Sequence, residues 1–279
     1  MKARPKGRRR TTKSHNALVR ILSNVPKWAY WLLGIAIAGA YVFFLFHIVL
    51  HYSMPWKARF GEVPQPEGYT VRGIDISHYQ STIRWDRLAS AQISDTPISF
   101  IFMKATEGTN IFDKTFNHNF HQARLNGFVR GAYHFYIPGA SAEQQARYYL
   151  SQVHLVPGDL PPVLDVEKSG GQSKAEIRDG VRQWLRIVGE YYGTKPIIYT
   201  YHSFKRDYLN TPEFDEYPFW IAHYYQSKLS YRGQWQFWQY TDMGRVDGIR
   251  GNVDCNVFNG TLEALRKLCI TPEQFPINY

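Results

Sequence analysis

Asp165 and Glu167 stand two residues apart at the end of the apolar run PPVLDVEK. Pro161, Pro162, Val163 and Leu164 read as the start of a short buried strand, on which residues i and i+2 share a face. Two carboxylates crowded on one buried face raise at least one pKa, which keeps one carboxyl protonated near neutrality. An acid beside a carboxylate is the equipment for breaking a glycosidic bond. Acidic groups at a strand end also serve as structural ion-pair partners, so the pair alone leaves both readings open.

The surrounding pattern supplies candidate positions for further acids. From Val71 onward, short apolar runs alternate with helical periodicity. VRGIDIS, ISFIFMKAT, VRGAYHFY, PVLDVE, KPIIYT, PFWIAH, QFWQY and VDCNVF read as strands, several of them apolar on both faces as in a covered sheet. Ser173 and Glu176 fit a capping box, Ile177, Val181, Trp184, Leu185 and Val188 repeat at helical spacing, and Gly193 is a stop. Further helices are predicted near 115–126, 141–153 and 262–268. Such alternation argues for an α/β fold, and eight candidate strands for a barrel, whose strands bring their carboxyl ends to one rim. There Asp75, Asp165, Glu167 and Asp254 would converge from three strands.

The 279-residue chain carries a net charge of +10, and its location excludes a basic binding domain. Of the 33 basic residues, nine lie in residues 1–50 without a single acid, leaving 24 against 23 acids in the remainder. The tail 1–27 is followed by WAYWLLGIAIAGAYVFFLFHIVL, residues 28–50, long enough at about 1.5 Å per residue to cross a hydrocarbon core of about 30 Å. Basic residues before it place the amino end in the cytoplasm, and Trp28, Tyr30 and Trp31 fit an interfacial belt. Ala38-Gly39-Ala40 resembles a signal-peptide cleavage site, but the run continues apolar to Leu50, so an uncleaved single-pass anchor in the cytoplasmic membrane is expected. Ser, Thr and Gly among the charges argue against a nucleic-acid arm. Residues 51–70, rich in Pro and Gly, read as a linker, and 271–279 as a tail. No Cys or His cluster has metal-ligand spacing, so neither metal nor cofactor is expected. Cys255 and Cys269 leave a bridge open in an oxidising compartment.

GIDISHYQ with Trp85 and Asp86 behind it, KATEG, GAYHFY, LDVE, FWIAHYY and FWQYTDMGRVDGIRGNVDCNVF follow in order between about 72 and 268. In these motifs the chain resembles glycoside hydrolase family 25, the muramidases of the Chalaropsis lysozyme type. As a whole it is similar to a membrane-anchored enterobacterial member with a basic tail and one apolar segment. The resemblance implies a flattened TIM-like (β/α)5(β)3 barrel over residues 71–270, its last three strands mainly antiparallel. It also implies hydrolysis of the β-1,4 bond from N-acetylmuramic acid to N-acetylglucosamine in peptidoglycan, outside the cytoplasmic membrane. Carried over by position, Glu167 is the general acid and Asp165 positions or polarises the 2-acetamido group. Asp75 and Asp254 line the cleft and help keep Glu167 protonated by their charge. Retention through acetamido participation and inversion through a water both fit the motif.

Aromatic residues are candidates for stacking on sugar faces: Tyr133, Phe135, Trp220, Trp238 and Tyr240, with barrel packing as their other reading. His134 and His223 read as structural, and Lys104 and Glu107 as a rim ion pair. Two other classes compete with the muramidase: a non-catalytic peptidoglycan-binding tether, which would not need four acids, and a glycosidase on another N-acetylated polysaccharide such as chitin.

Overall fold

The computed structural model describes residues 26–59 and 64–274, with backbone alone for 48–59. Most of the predicted basic tail, part of the linker and the last five residues lie outside the described residues. The chain divides into two compact units at Trp56/Lys57, each considered by itself.

The described residues of the first unit lie in one helix, α1 (Lys27–Arg59), apart from Pro26; its stretch Lys27–His47 has a mean hydropathy of 2.0 and no buried residue. By length and composition it is able to cross a membrane. The helix continues nine residues beyond the predicted span, so the segment expected to begin a linker at 51 is helical to Arg59. An existing helix gains one backbone bond per added residue, and Pro55 removes only one of them.

The second unit contains strands β1 (Arg72–Ile76), β2 (Gln92–Ile93), β3 (Thr96–Glu107), β4 (Ile111–Phe112), β5 (Val129–Phe135) and β6 (Val163–Asp165). These are followed by β7 (Ile197–Tyr201), β8 (Phe219–Ala222), β9 (Phe237–Gly244) and β10 (Val253–Phe258). Its helices are α2 (Trp85–Leu88), α3 (Phe116–Leu125), α4 (Ala142–Gln152), α5 (Lys174–Tyr192), α6 (His202–Tyr208) and α7 (Leu262–Leu268). Among the described residues, β1, β3 and β5 to β10 close into an eight-strand ring, while β2 and β4 pair only with the ends of β3. All ladders from β1 to β9 around the ring are parallel, and β10 alone runs antiparallel, against both β9 and β1. This corrects the expectation of three mainly antiparallel closing strands. The 14 residues between β8 and β9 are enough to return the chain to the starting end, which makes a parallel step possible without a helix.

Strand alternation separates two cores. Phe100, Phe102, Val163, Ile197, Trp220 and Phe237 fill the barrel, while Ile101, Met103, Leu164, Ile198 and Ile221 face the helices. The aromatic filling needs space opposite it: a Cβ on Gly73 would lie 2.4 Å from the Phe100 ring, and one on Gly131 2.5 Å from Phe102. On the outer side, α5 packs Ile177, Val181, Trp184, Leu185 and Val188, all buried. Ser173 Oγ accepts from Glu176 N at 3.3 Å, Glu176 Oε2 accepts from Ser173 N at 2.8 Å, and Gly193 ends the helix at φ 60. Cys255 and Cys269 are buried free thiols in different cores, so the bridge left open by the sequence is not formed.

Candidate active site

The carboxyl ends of β1 and β6, together with β10, which runs the opposite way, bring Asp75, Asp165, Glu167 and Asp254 into one pocket of about 200 Å³. Asp75 and Asp254 are register partners across β1 and β10 and form one wall. Asp165, the last residue of β6, and Glu167 form another. A larger cleft of about 540 Å³ runs along the flank past His202, Arg206 and Tyr231, and none of the four acids lines it.

Burial raises all four carboxyls. Asp75 rises to about 6, through burial and through the charge of Glu167, against hydrogen bonds from Asn256 and Gln239 that lower it. Asp165 is pushed well above the usual range by burial and by Glu167, with Lys104 opposing. Asp254 is raised by burial and by the charges of Asp75 and Asp242. Glu167 is raised by burial, while the neighbouring Tyr199 hydroxyl and the charges of Lys168 and Lys104 pull it down. Burial thus favours the protonated form of Glu167, and the repulsion between Glu167 and Asp75, Asp165 and Asp254 belongs to the cluster as a whole. One oxygen of Asp165, Oδ1, is buried without a hydrogen-bond partner. An unpaired acceptor in a pocket is a place for a ligand N–H or O–H.

A polar network fixes Asp75. Gln239 Nε2 and Asn256 Nδ2 each donate to its Oδ2 at 2.8 Å. Asn256 Oδ1 accepts from Trp220 Nε1 at 2.8 Å, and Gln239 Oε1 accepts from the hydroxyls of Tyr199 at 2.6 Å and Tyr224 at 2.8 Å. None of Gln239, Asn256, Tyr199 and Tyr224 was singled out from the sequence. Alternation around the acids would have pointed to Asn256, which is two residues from Asp254 on β10.

Of the predicted stacking residues, Tyr133 and Phe135 line the pocket, with Lys104 and Lys168 over the Phe135 ring at 4.9 and 5.6 Å. Trp220 lies in the floor at 2% exposure, stacked on Phe102 and committed through its N–H to Asn256, so it offers little free face. Trp238 and Tyr240 must be corrected. They belong to the outer core with no exposed surface, Trp238 donating to the His223 carbonyl and Tyr240 to Gln65. The period of two along β9 turns Gln239 inward and its two aromatic neighbours outward. His134 also faces outward, stacked on Trp184, bonded to Thr106 and Gln145, and lowered by burial to about 4. Lys104 and Glu107 form the expected ion pair.

The family model of glycosyl hydrolases family 25 matches residues 74–249. The chain is 47% identical over 206 residues to the uncharacterized protein YegX of Escherichia coli K12, covering 72% of this chain and 74% of that one. It is 37% identical to Lysozyme M1 of Streptomyces globisporus over 71% of each chain, and 30% identical to the N,O-diacetylmuramidase of Chalaropsis over 71% of this chain and 99% of that one. The crystal structure of the bacterial lysozyme from Streptomyces coelicolor superposes with a TM-score of 0.66 at 34% identity, covering 73% of this chain and 98% of the other. With an α/β barrel, four acids in one pocket at its end and these relatives, the chain belongs to glycosyl hydrolases family 25 and is a glycoside hydrolase.

Proposed function

We propose that the protein is a muramidase, hydrolysing the β-1,4 bond from N-acetylmuramic acid to N-acetylglucosamine in peptidoglycan. The observation that carries this reading is the meeting of Asp75, Asp165, Glu167 and Asp254 in one pocket, on strands far apart in the chain. Glu167 is the general acid: its burial favours the protonated form, and proton donation to the departing oxygen makes the alcohol a better leaving group. Asp165 offers its unpartnered Oδ1 to the acetamido N–H of the substrate, which would orient that group and polarise it. Asp75 and Asp254 bound the opposite side and would hold the sugar or a water. The strand and helix order supports classing the barrel as (β/α)5(β)3, with α2 to α6 following the first five ring strands.

We further read residues 28–50 as an uncleaved anchor, with the basic tail in the cytoplasm and the catalytic domain on the outer side of the cytoplasmic membrane. The length and hydropathy of α1 and the charge asymmetry around it support this topology.

The test uses the full-length chain in detergent, incubated with purified sacculi beside Glu167→Gln. Released fragments are reduced with borohydride and the reduced sugar identified by mass. Reduced N-acetylmuramic acid ends are expected from the wild type, with the variant slower by at least about a hundredfold. Reduced N-acetylglucosamine ends would assign a different bond, and full activity of Glu167→Gln would remove that residue from the acid's role.

A further inference from the structure

At the rim of the acidic pocket stands Tyr79, which is 80% exposed. Of the Phe, Tyr and Trp side chains of residues 64–274, Tyr79 is the most exposed; Tyr191, 46% exposed on α5, does not line the pocket, and Tyr133 and Phe135 line it half-buried. An exposed ring is ordinarily mobile, but the turn that carries this one is fastened at both ends. Residues His78–Gln80 form one 3-10 turn capped by Ser77, whose Oγ accepts from Tyr79 N at 3.3 Å. Gln80 closes the box by accepting from Ser77 N at 2.9 Å and donates to the carbonyl of Asn252, just before β10.

His78 supports the ring from behind, with centroids 4.2 Å apart and planes 34° apart. It is held in turn by the buried carboxylate of Asp113, which accepts from His78 N at 2.9 Å and pairs with Nδ1 at 2.8 Å. Thr115 donates to the same carboxylate through its N–H and its hydroxyl, at 2.9 and 2.6 Å. With Asp113 as acceptor, the Nδ1 of His78 carries a proton, and Nε2 on the other edge of the ring is left for another partner. So many fixed bonds behind one solvent-facing ring amount to preorganisation of a contact surface.

We propose that Tyr79, backed by His78, is a further sugar-binding subsite that takes the apolar face of an N-acetylated hexopyranose ring beside the acids. The identity of that ring rests on the hydrolase reading above; the contact surface itself does not. Trp220 is sunk in the floor and Trp238 and Tyr240 face the outer core, so Tyr79 supplies an open aromatic face that those three do not. Stacking leaves the equatorial hydroxyls free to reach polar groups that line the pocket, among them Lys104 and Asp254.

The experiment measures binding to full-length Glu167→Gln protein in detergent by calorimetry. The probe is a tetrasaccharide of alternating N-acetylglucosamine and N-acetylmuramic acid. Adding Tyr79→Ala is expected to weaken binding about tenfold, and Tyr79→Trp to restore it to within about twofold. Unchanged binding by Tyr79→Ala, or no binding of the tetrasaccharide at all, overturns the subsite. In parallel, otherwise wild-type protein carrying Tyr79→Ala is expected to show a KM on sacculi raised about tenfold. If the wild type releases no fragments while binding still depends on Tyr79, the hydrolase reading fails and the subsite stands. If both proteins cleave and bind alike, the subsite fails and the hydrolase reading stands.

Discussion

Asp75 sits at the end of a hydrogen-bond chain that runs in one direction. The indole N–H of Trp220 can only donate, so Asn256 must turn its oxygen to it and its NH₂ to Asp75. The phenols of Tyr199 and Tyr224 fix Gln239 in the same sense. Asp75 thereby receives two N–H donors, which offset part of the burial that raises it to about 6. Removing one donor by Asn256→Leu takes away a contribution that lowers the pKa, so Asp75 must titrate at still higher pH. If its ionised form is required, the acidic limb of the pH–rate profile on sacculi moves toward neutrality in this variant. A limb in the wild-type position would show that another group sets it. Glu167 needs the opposite state, and mutual coupling makes the observed limbs properties of the cluster.

At the scale of elements, strands serve the two cores by alternation, and the pocket is served by carboxyl ends of parallel strands and by the amino end of β10. β3 does this with Phe100 and Phe102 inside and Lys104 at the rim; β5 does it with Gly131, then Tyr133 and Phe135. The glycine is required by the neighbour rather than by its own backbone, because Phe102 occupies the volume of its missing side chain. Gly131→Ala should therefore destabilise the protein by about 1–3 kcal/mol, with Phe102 driven from its rotamer. Urea unfolding of the full-length chain measures this, and an unchanged midpoint would mean that the ring yields freely. The helix α5 was legible because its cap, its apolar stripe and its glycine stop all lie within local range of one another. The helix α6 was not: seven residues give too short a stripe to show a period, and no side chain caps its start.

For the whole molecule, the apolar helix and the catalytic barrel are separate compact units, and the chemistry lies wholly in the second. The anchor reading predicts that the full-length protein stays with membranes through alkaline carbonate extraction and is released by detergent. A soluble protein shortened near residue 40 would instead identify a cleaved signal. The charge distribution fits this division, with the basic excess ahead of α1 and a nearly neutral remainder.

Periodicity and local order by themselves determined the strands, the longer helices, the apolar span and the four acids, because each depends on neighbours a few residues away. The family motifs narrowed the chemistry further. Tertiary structure decided which side of β9 faces inward, so that Gln239 and not Trp238 or Tyr240 reaches the acids. It decided the partners of Asp75, which lie 164 and 181 residues away in the chain, and the fate of Cys255 and Cys269 in different cores. It also decided that Tyr79 is the most exposed aromatic of the pocket. Facing and contact in a closed barrel depend on the register of every strand in the ring, and a one-residue shift in any strand exchanges its inner and outer residues.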